Sequence, residues 1–321
     1  MIAFLIQRFL QACGLMMSVA LIAFVMFQFV GDPVDGMLPE NATQIERDEL
    51  RNKLGLNDSV LTQYTRFVGN IAQGNFGISY YNQSDVFSLI AERLPATLEL
   101  VFVAVVMSLA IGIPLGVWVT FSKNRVMTSL VQTLSLVGVS LPSFVVGILL
   151  IIVFSVWLGW FPSHGRGEIT EIGGWSTGLL TVTGWQSIIL PAMSLALFMI
   201  TMVMRLLKSE MQETLRADYI KFAKARGIKQ RSIRYKHVLK NSLLPVITVV
   251  GLQIGGLIAF AVVTETIFQW PGMGLLFIQA VNYVDIPVIS AYLVFISLIF
   301  VTINTVVDII YQFVDPRMRA K

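Results

Sequence analysis

The sequence predicts an all-α membrane protein with six spanning helices and a small helical insertion between the first two. Three observations carry that prediction: a low charge content, long charge-free runs, and a lopsided placement of basic residues. Of the 321 residues, 55% are hydrophobic and 13% are charged, against about a quarter charged in an ordinary soluble chain. A soluble chain of this length would form two domains marked by short periodic apolar stripes. Here the apolar residues instead run between charges over Phe9–Gly31, Leu100–Ser122, Val126–Gly165, Ile172–Met204, Asn241–Thr264, Thr266–Val284 and Ile286–Val307. Crossing roughly 30 Å of hydrocarbon takes about 20 apolar residues, and every window reaches or approaches that length.

The window Thr266–Val284 is the exception in character. It holds Gln269, Pro271, Gly272, Gly274, Gln279 and Asn282, a density of turn formers that breaks a spanning helix. It reads as a re-entrant or surface segment. Six spans remain, near 9–30, 98–121, 130–158, 187–206, 244–264 and 287–311. With the amino terminus inside, the inner side carries Arg8, Lys123, Arg125, the segment 205–242, Arg317, Arg319 and Lys321, seventeen of the 23 basic residues. The outer side keeps Arg47, Arg51, Lys53, Arg66, Arg93 and Arg166, mostly in one long stretch, where translocation largely ignores charge. A seventh span would put the basic carboxyl terminus outside.

The first span follows Met1–Arg8 and superficially resembles a signal peptide. Its apolar run exceeds a typical signal core and no small-residue cleavage site precedes Gly31-Asp32-Pro33, so it reads as retained. Cys13 is the sole cysteine, which excludes an intrachain disulfide. Residues 31–96 form the outer insertion. Within it Ala42–Leu56 has helical spacing and Thr43 with Glu46 makes a capping-box pattern. A helix over 60–73 gathers Leu61, Tyr64, Phe67, Val68 and Ile71, and a third over Val86–Leu94 is expected to end at Pro95. An insertion this small buries too little to stand alone and leans on other segments. Helix breakers mark several spans: Gly112-Ile113-Pro114, Pro142, and Gly255-Gly256. Static kinks or close packing explain them as well as bends beside a moving pathway do.

The core, 97–311, contains a basic segment at 205–242, with eleven basic residues against Glu210, Glu213 and Asp218. Topology and anionic lipid account for that charge but not for its apolar pattern. Asp218 is placed to cap a short helix, Tyr219, Ile220, Ala223 and Gly227 fall on one face with Ala225 beside it, and Gly227 supplies the stop. Such a helix suits docking into a groove of another protein.

At this segment the sequence resembles the membrane subunits of ATP-binding-cassette importers, in the dipeptide and oligopeptide branch. The run Asp218-Tyr219-Ile220-Lys221-Phe222-Ala223-Lys224-Ala225-Arg226-Gly227 is similar to that branch's form of the EAA signature, the coupling helix that docks on the ATPase. Lys221 departs from the general signature, which has Glu there; Glu213 lies upstream. Similar runs recur along nearly the whole chain: Gly31-Asp32-Pro33, Gly74-Asn75-Phe76-Gly77, Arg93-Leu94-Pro95-Ala96-Thr97, Ser140-Leu141-Pro142-Ser143-Phe144, Trp270-Pro271-Gly272-Met273-Gly274 and Asp315-Pro316-Arg317. The long insertion resembles the B-type member of a permease pair.

That resemblance implies a type I importer permease in the bacterial inner membrane, with both termini cytoplasmic and the tail at 312–321. It implies a second permease, two ATPase subunits, an extracytoplasmic solute-binding protein and surrounding lipid as partners, and no nucleic acid. ATP and magnesium would be held by the ATPases, with no cofactor in this chain. No Gly-x4-Gly-Lys-Ser/Thr phosphate loop occurs in the sequence. The coupling residues would be Glu213, Asp218, Tyr219, Ile220, Ala223, Ala225 and Gly227. Pathway or structural candidates are Glu99, Pro142, Gly255, Gly256, Glu265 and Asp308, because ionisable or helix-breaking residues in spans mark either transport or pairing. Structural pairing is the simpler reading for the three acids, which lie near span ends. The same branch includes importers of nickel complexes and glutathione. His164 and His237 have no second ligand at metal spacing, and no nucleophile–base pair stands out. A secondary transporter or channel would instead show inverted repeats and midplane charges, which the sequence does not offer.

Overall fold

A computed structural model describes residues 2–29, 34, 38 and 43–314. Gly31-Asp32-Pro33 and Asp315-Pro316-Arg317 therefore lie outside the described residues. Among those described, four helices are long and apolar enough to cross a membrane: Val86–Phe121, Val182–Arg216, Gln230–Ile267 and Ile286–Ile309. Shorter apolar helical stretches cover Leu10–Met26, Ser143–Trp157 and Met273–Asn282.

In chain order, α1 is Ile2–Phe29, α2 Gln44–Leu54, α3 Val60–Ala72 and α4 Val86–Phe121. Next come α5, Arg125–Ser140, and α6, Ser143–Leu150, which continues in wider π turns over Ile151–Trp157. A two-stranded antiparallel hairpin joins β1, Thr170–Ile172, to β2, Trp175–Thr177, with Ile172 opposite Trp175. Then follow α7, Val182–Arg216, α8, Asp218–Ala225, and α9, Gln230–Ile267, which has a π segment at Ile233–Leu239. The last two are α10, Met273–Asn282, and α11, Ile286–Val314.

Several boundaries differ from the sequence expectation. The helix over Val86–Leu94 does not stop at Pro95 but runs on into the second span as α4. Proline removes one backbone bond there, a loss that membrane helices tolerate when neighbours re-satisfy the freed carbonyl. The expected span 130–158 is two helices, broken at Leu141-Pro142. Proline disfavours helical geometry in the residue before it, and Pro142 itself, at ψ 141°, caps α6. The 266–284 window breaks after Ile267 and holds only the ten-residue α10, about 15 Å long and too short to span.

The chain divides into two compact units. The first comprises residues 1–96 and 271–302, so the insertion shares a unit with α1, α10 and the start of α11. Its α2 begins with the expected capping box: Thr43 N–H donates to Glu46 at 2.8 Å and Glu46 N–H donates to Thr43 Oγ1 at 3.4 Å. Ser59 caps α3. Gln63 is buried and donates to the carbonyls of Leu56 and Asp58, both at 2.9 Å. Phe24 of α1 packs on Tyr64 and Phe67 of α3, with centroids 5.5 and 5.8 Å away. Phe295 of α11 receives Phe76 and Phe87.

The second unit comprises residues 97–270 and 303–321, and α7 is its axis. Met199, Met204, Leu207 and Met211 are fully buried along it. Gly112 and Gly116 of α4 face it so closely that a methyl group at Gly112 would lie 2.9 Å from Val203 and 3.1 Å from the Ile200 carbonyl. This four-residue spacing of small residues lets two helix backbones approach. At the other end of α7, Thr214 shares a hydroxyl hydrogen bond of 3.1 Å with Ser242 of α9.

Candidate functional site

The segment 217–227 forms a short helix between two long ones. Ala217 ends α7 in an extended conformation, ψ 145°, and serves as the cap of α8. Asp218 therefore sits inside the first turn instead of at the cap position. There its charge meets the positive end of the helix, and it accepts from Lys221 Nζ at 2.8 Å. That ion pair is exposed, so it adds little stability. Gly227 terminates the helix at φ +74°, a left-handed geometry that glycine adopts without steric cost.

The structure divides the residues that the sequence put on one face. Ile220 and Ala223 are buried, holding α8 against its own chain. Tyr219 is exposed and its hydroxyl accepts from Asn241 Nδ2 of α9 at 2.8 Å. Phe222 is 64% exposed, with the Arg226 guanidinium 5.7 Å over its ring. Ala225, Gly227 and, on the last turns of α7, Glu213 are exposed. The outward surface is thus built from Tyr219, Lys221, Phe222, Ala225 and Arg226, and Phe222 is the residue that sequence reasoning missed. Its signal was an aromatic ring at i+2 from Ile220, on the face opposite the buried pair.

The three intramembrane acids have distinct surroundings. Glu99 of α4 is buried and accepts from Arg166 Nη2 at 2.6 Å. Arg166 also donates to the Ser176 carbonyl at 2.6 Å and to its hydroxyl at 3.2 Å, and its guanidinium lies 5.9 Å from the Trp270 ring. Together with the Gly165 N–H bonded to the Phe268 carbonyl at 3.0 Å, this fastens the hairpin loop onto α4 and the end of α9. Arg166 entered the sequence reading only as an outer charge. An arginine beside two glycines, Gly165 and Gly167, facing a lone acid in the neighbouring span was the available signal. Glu265 is fully buried and accepts from the Thr97 hydroxyl at 2.6 Å. Asp308 lies on α11 and is half-buried. The structure does not bring Glu99, Glu265 and Asp308 together with α8 into one site.

The helix breakers also separate. Pro142 marks the α5–α6 break. Gly255 is buried on α9, whereas a methyl group at Gly256 would meet only the Gln253 side chain, at 3.6 Å. The close approach on α9 is instead at Gly251, where an added methyl group would overlap Val307. A further buried acid, Asp285, lies in the first unit. It accepts from the Ser79 hydroxyl and from the N–H groups of Tyr80 and Tyr81, at 3.2 and 3.3 Å. In the sequence it was visible only as the charge separating two windows. No group of three or more His, Cys, Asp or Glu side chains able to hold a metal occurs among the described residues.

Comparison with known proteins adds an independent line. Residues 112–320 match the family model described as binding-protein-dependent transport system inner membrane component. Residues 1–101 match the amino-terminal model of the same transport system's membrane component. The chain is 35% identical to a dipeptide transport system permease protein of Alkalihalophilus pseudofirmus, covering 99% of this chain and all of that one. It is 37% identical to an oligopeptide transport system permease protein of Bacillus subtilis, over 99% of both chains. A di/tripeptide transport system permease protein of Pseudomonas aeruginosa is 35% identical over 99% of both. Among solved structures, an inward-facing methionine ABC transporter matches with a TM-score of 0.55 at 18% identity, over 71% of this chain and 96% of that one. An amino acid ABC transporter solved with histidines matches at 0.51 and 15%, over 70% and 94%. These last two likenesses speak to the fold alone.

Proposed function

The chain belongs to the inner membrane components of binding-protein-dependent transport systems, and from that premise we propose that it forms half of the solute pathway of an ATP-driven importer of dipeptides or oligopeptides. Relatives carrying those names align along essentially its whole length. It is an integral inner membrane protein. In the proposed assembly it pairs with a second permease, receives solute from an extracytoplasmic binding protein, and leaves ATP and magnesium to two ATPase subunits. The proposed topology has six spans, from α1, α4, α5 with α6, α7, α9 and α11, with both termini and α8 cytoplasmic; the basic charge of 205–242 supports this orientation.

One observation carries the coupling role. Ile220 and Ala223 anchor α8 inward while Tyr219, Phe222 and Ala225 stand outward. A short helix fixed on one side and displaying two aromatic rings among basic side chains on the other is a handle: a force applied at Phe222 reaches α7 and α9 through the buried pair and the Tyr219–Asn241 bond. ATP binding in the partner subunits then biases a two-state arrangement of the spans.

The test is Phe222→Ala together with Gly227→Asp in the complete reconstituted importer. A Cβ atom added at Gly227 meets no neighbour within 4 Å, so the expected structural cost is a local strain of about 1–2 kcal/mol for a left-handed residue. Both variants should assemble, insert normally and lose substrate-stimulated ATP hydrolysis and uptake. Normal uptake with normal stimulation in both variants removes α8 from the mechanism.

A further inference from the structure

Between α5 and α7, within the second unit, lies a cleft of about 280 Å³. Gln132 and Ser135 line it from α5, and Arg205, Lys208, Ser209 and Gln212 from α7. Positions 205, 208, 209 and 212 share one helical face, so α7 presents a continuous polar stripe about 10 Å long to its neighbour. Two cations head that stripe and no acidic residue lines the cleft. Among the described residues, neither Arg205 nor Lys208 has a carboxylate partner. The site is rich in donors, with a guanidinium, an ammonium, two amides and the Ser209 hydroxyl, while the Ser135 hydroxyl donates to the Gln132 carbonyl at 2.7 Å; it is offered to an anion.

We propose that this cleft binds the phosphate of an anionic phospholipid headgroup. The shared chemistry is a phosphate held by Arg205 and Lys208, with the Ser209, Gln132 and Gln212 side chains completing its hydrogen bonds. A lipid is favoured over a free phosphate by position. The cleft lies where α7 passes from its apolar stretch, ending at Met204, into the charged stretch that begins at Arg205. Its apolar edge is formed by Leu136 and Met204, and Leu136 is 49% exposed, so an acyl chain has a surface to lie on directly beside the headgroup. Basic pockets between membrane helices on the cytoplasmic side are suited to anionic heads in this way. The proposal goes beyond the transport reading, since binding requires neither the partner subunits nor transport.

The experiment uses the full-length chain purified in neutral detergent and titrated with dioleoylphosphatidylglycerol, dioleoylphosphatidylcholine or inorganic phosphate. Retained lipid is counted by native mass spectrometry and thermal unfolding is followed in parallel. Phosphatidylglycerol should be retained in preference to phosphatidylcholine. The double variant Arg205→Gln/Lys208→Gln should weaken that retention about thirty-fold, at roughly five-fold per charge. Ser135→Leu, which fills the cleft and spares both cations, should weaken it as well. Lys229→Gln/Lys236→Gln, at exposed sites away from the cleft, should leave it within two-fold. Displacement of the lipid by millimolar inorganic phosphate, with stabilisation of the wild type and not of the double variant, supports the site with free phosphate as its source. The proposal is overturned if phosphatidylglycerol shows no preference over phosphatidylcholine. It is equally overturned if the Arg205/Lys208 variant binds as the wild type does, or if the Lys229/Lys236 variant loses as much.

Discussion

Removing Arg166 and removing Glu99 should not cost the same, although they are partners. Their side chains are 6% and 5% exposed, and breaking a buried pair by deleting one member costs roughly 3–5 kcal/mol, because the other charge is stranded. In Arg166→Met the Glu99 carboxylate keeps only the Gly178 N–H, at 3.4 Å, and its Oε1 already lacks a partner. That variant belongs at the upper end, about 5 kcal/mol. In Glu99→Leu the guanidinium keeps the Ser176 carbonyl and hydroxyl and the face of Trp270, which places it at the lower end, about 3 kcal/mol. The double variant Glu99→Leu/Arg166→Met buries apolar groups in place of both charges and should recover most of the loss. Equilibrium unfolding in mixed micelles, read by tryptophan fluorescence, gives the three values, and protease cleavage within 159–181 reports whether the hairpin loop has come loose. The reasoning is refuted if Glu99→Leu proves as costly as Arg166→Met, or if the double variant loses the sum of the two.

Other perturbations test other contacts. Gly112→Ala places a methyl group 2.9 Å from Val203 and beside the Ile200 carbonyl. It should destabilise the protein by about 1–3 kcal/mol through overpacking, measured in the same unfolding assay; Gly256→Ala, with no such neighbour, is the control. Asp285→Asn keeps the shape but removes the charge that three donors address, at a cost of about 1.5–3 kcal/mol, with faster hydrogen exchange at the Tyr80 and Tyr81 amides. The backbone and hydroxyl bonds from Thr43 hold the Glu46 carboxyl below its usual range. Because the folded pKa is the lower one, its stabilisation of α2 is complete above the unfolded value, near 4.3, and is lost as pH falls through the folded value. The protection of the amides at the start of α2, measured as exchange relative to the unstructured chain at the same pH, should therefore fall on acidification below pH 4, and Glu46→Gln should remove that change in protection.

What was legible in the sequence follows from how local each cause is. The capping box at Thr43 and Glu46, the failure of 266–284 to form one long helix and the glycine stop at Gly227 depend on a few neighbouring residues, and each stands in the structure where the sequence placed it; Pro142 was legible only as a kink inside one span, whereas the structure ends one helix and starts another there. The continuation of α4 through Pro95 was not legible, because a proline's local preference yields when surrounding helices satisfy the freed carbonyl. The inward and outward sides of α8 were not legible either. Periodicity groups Ile220 with Ala223, but which side of a short helix meets its own chain is set by α7 and α9, not by the ten residues of the motif.

The sequence by itself determined that this is an all-α membrane protein, since hydrocarbon excludes charge and demands internally bonded backbone over about 20 residues at a time. It also determined where a short displayed helix would lie, between Asp218 and Gly227. Only the tertiary structure decided which charges are paired. Glu99 and Arg166 stand 67 positions apart, Ser79 and Asp285 stand 206 apart, and Arg205 and Lys208 face a cleft with no acid in it. Pairing depends on distance in space, and no local property of the chain encodes it.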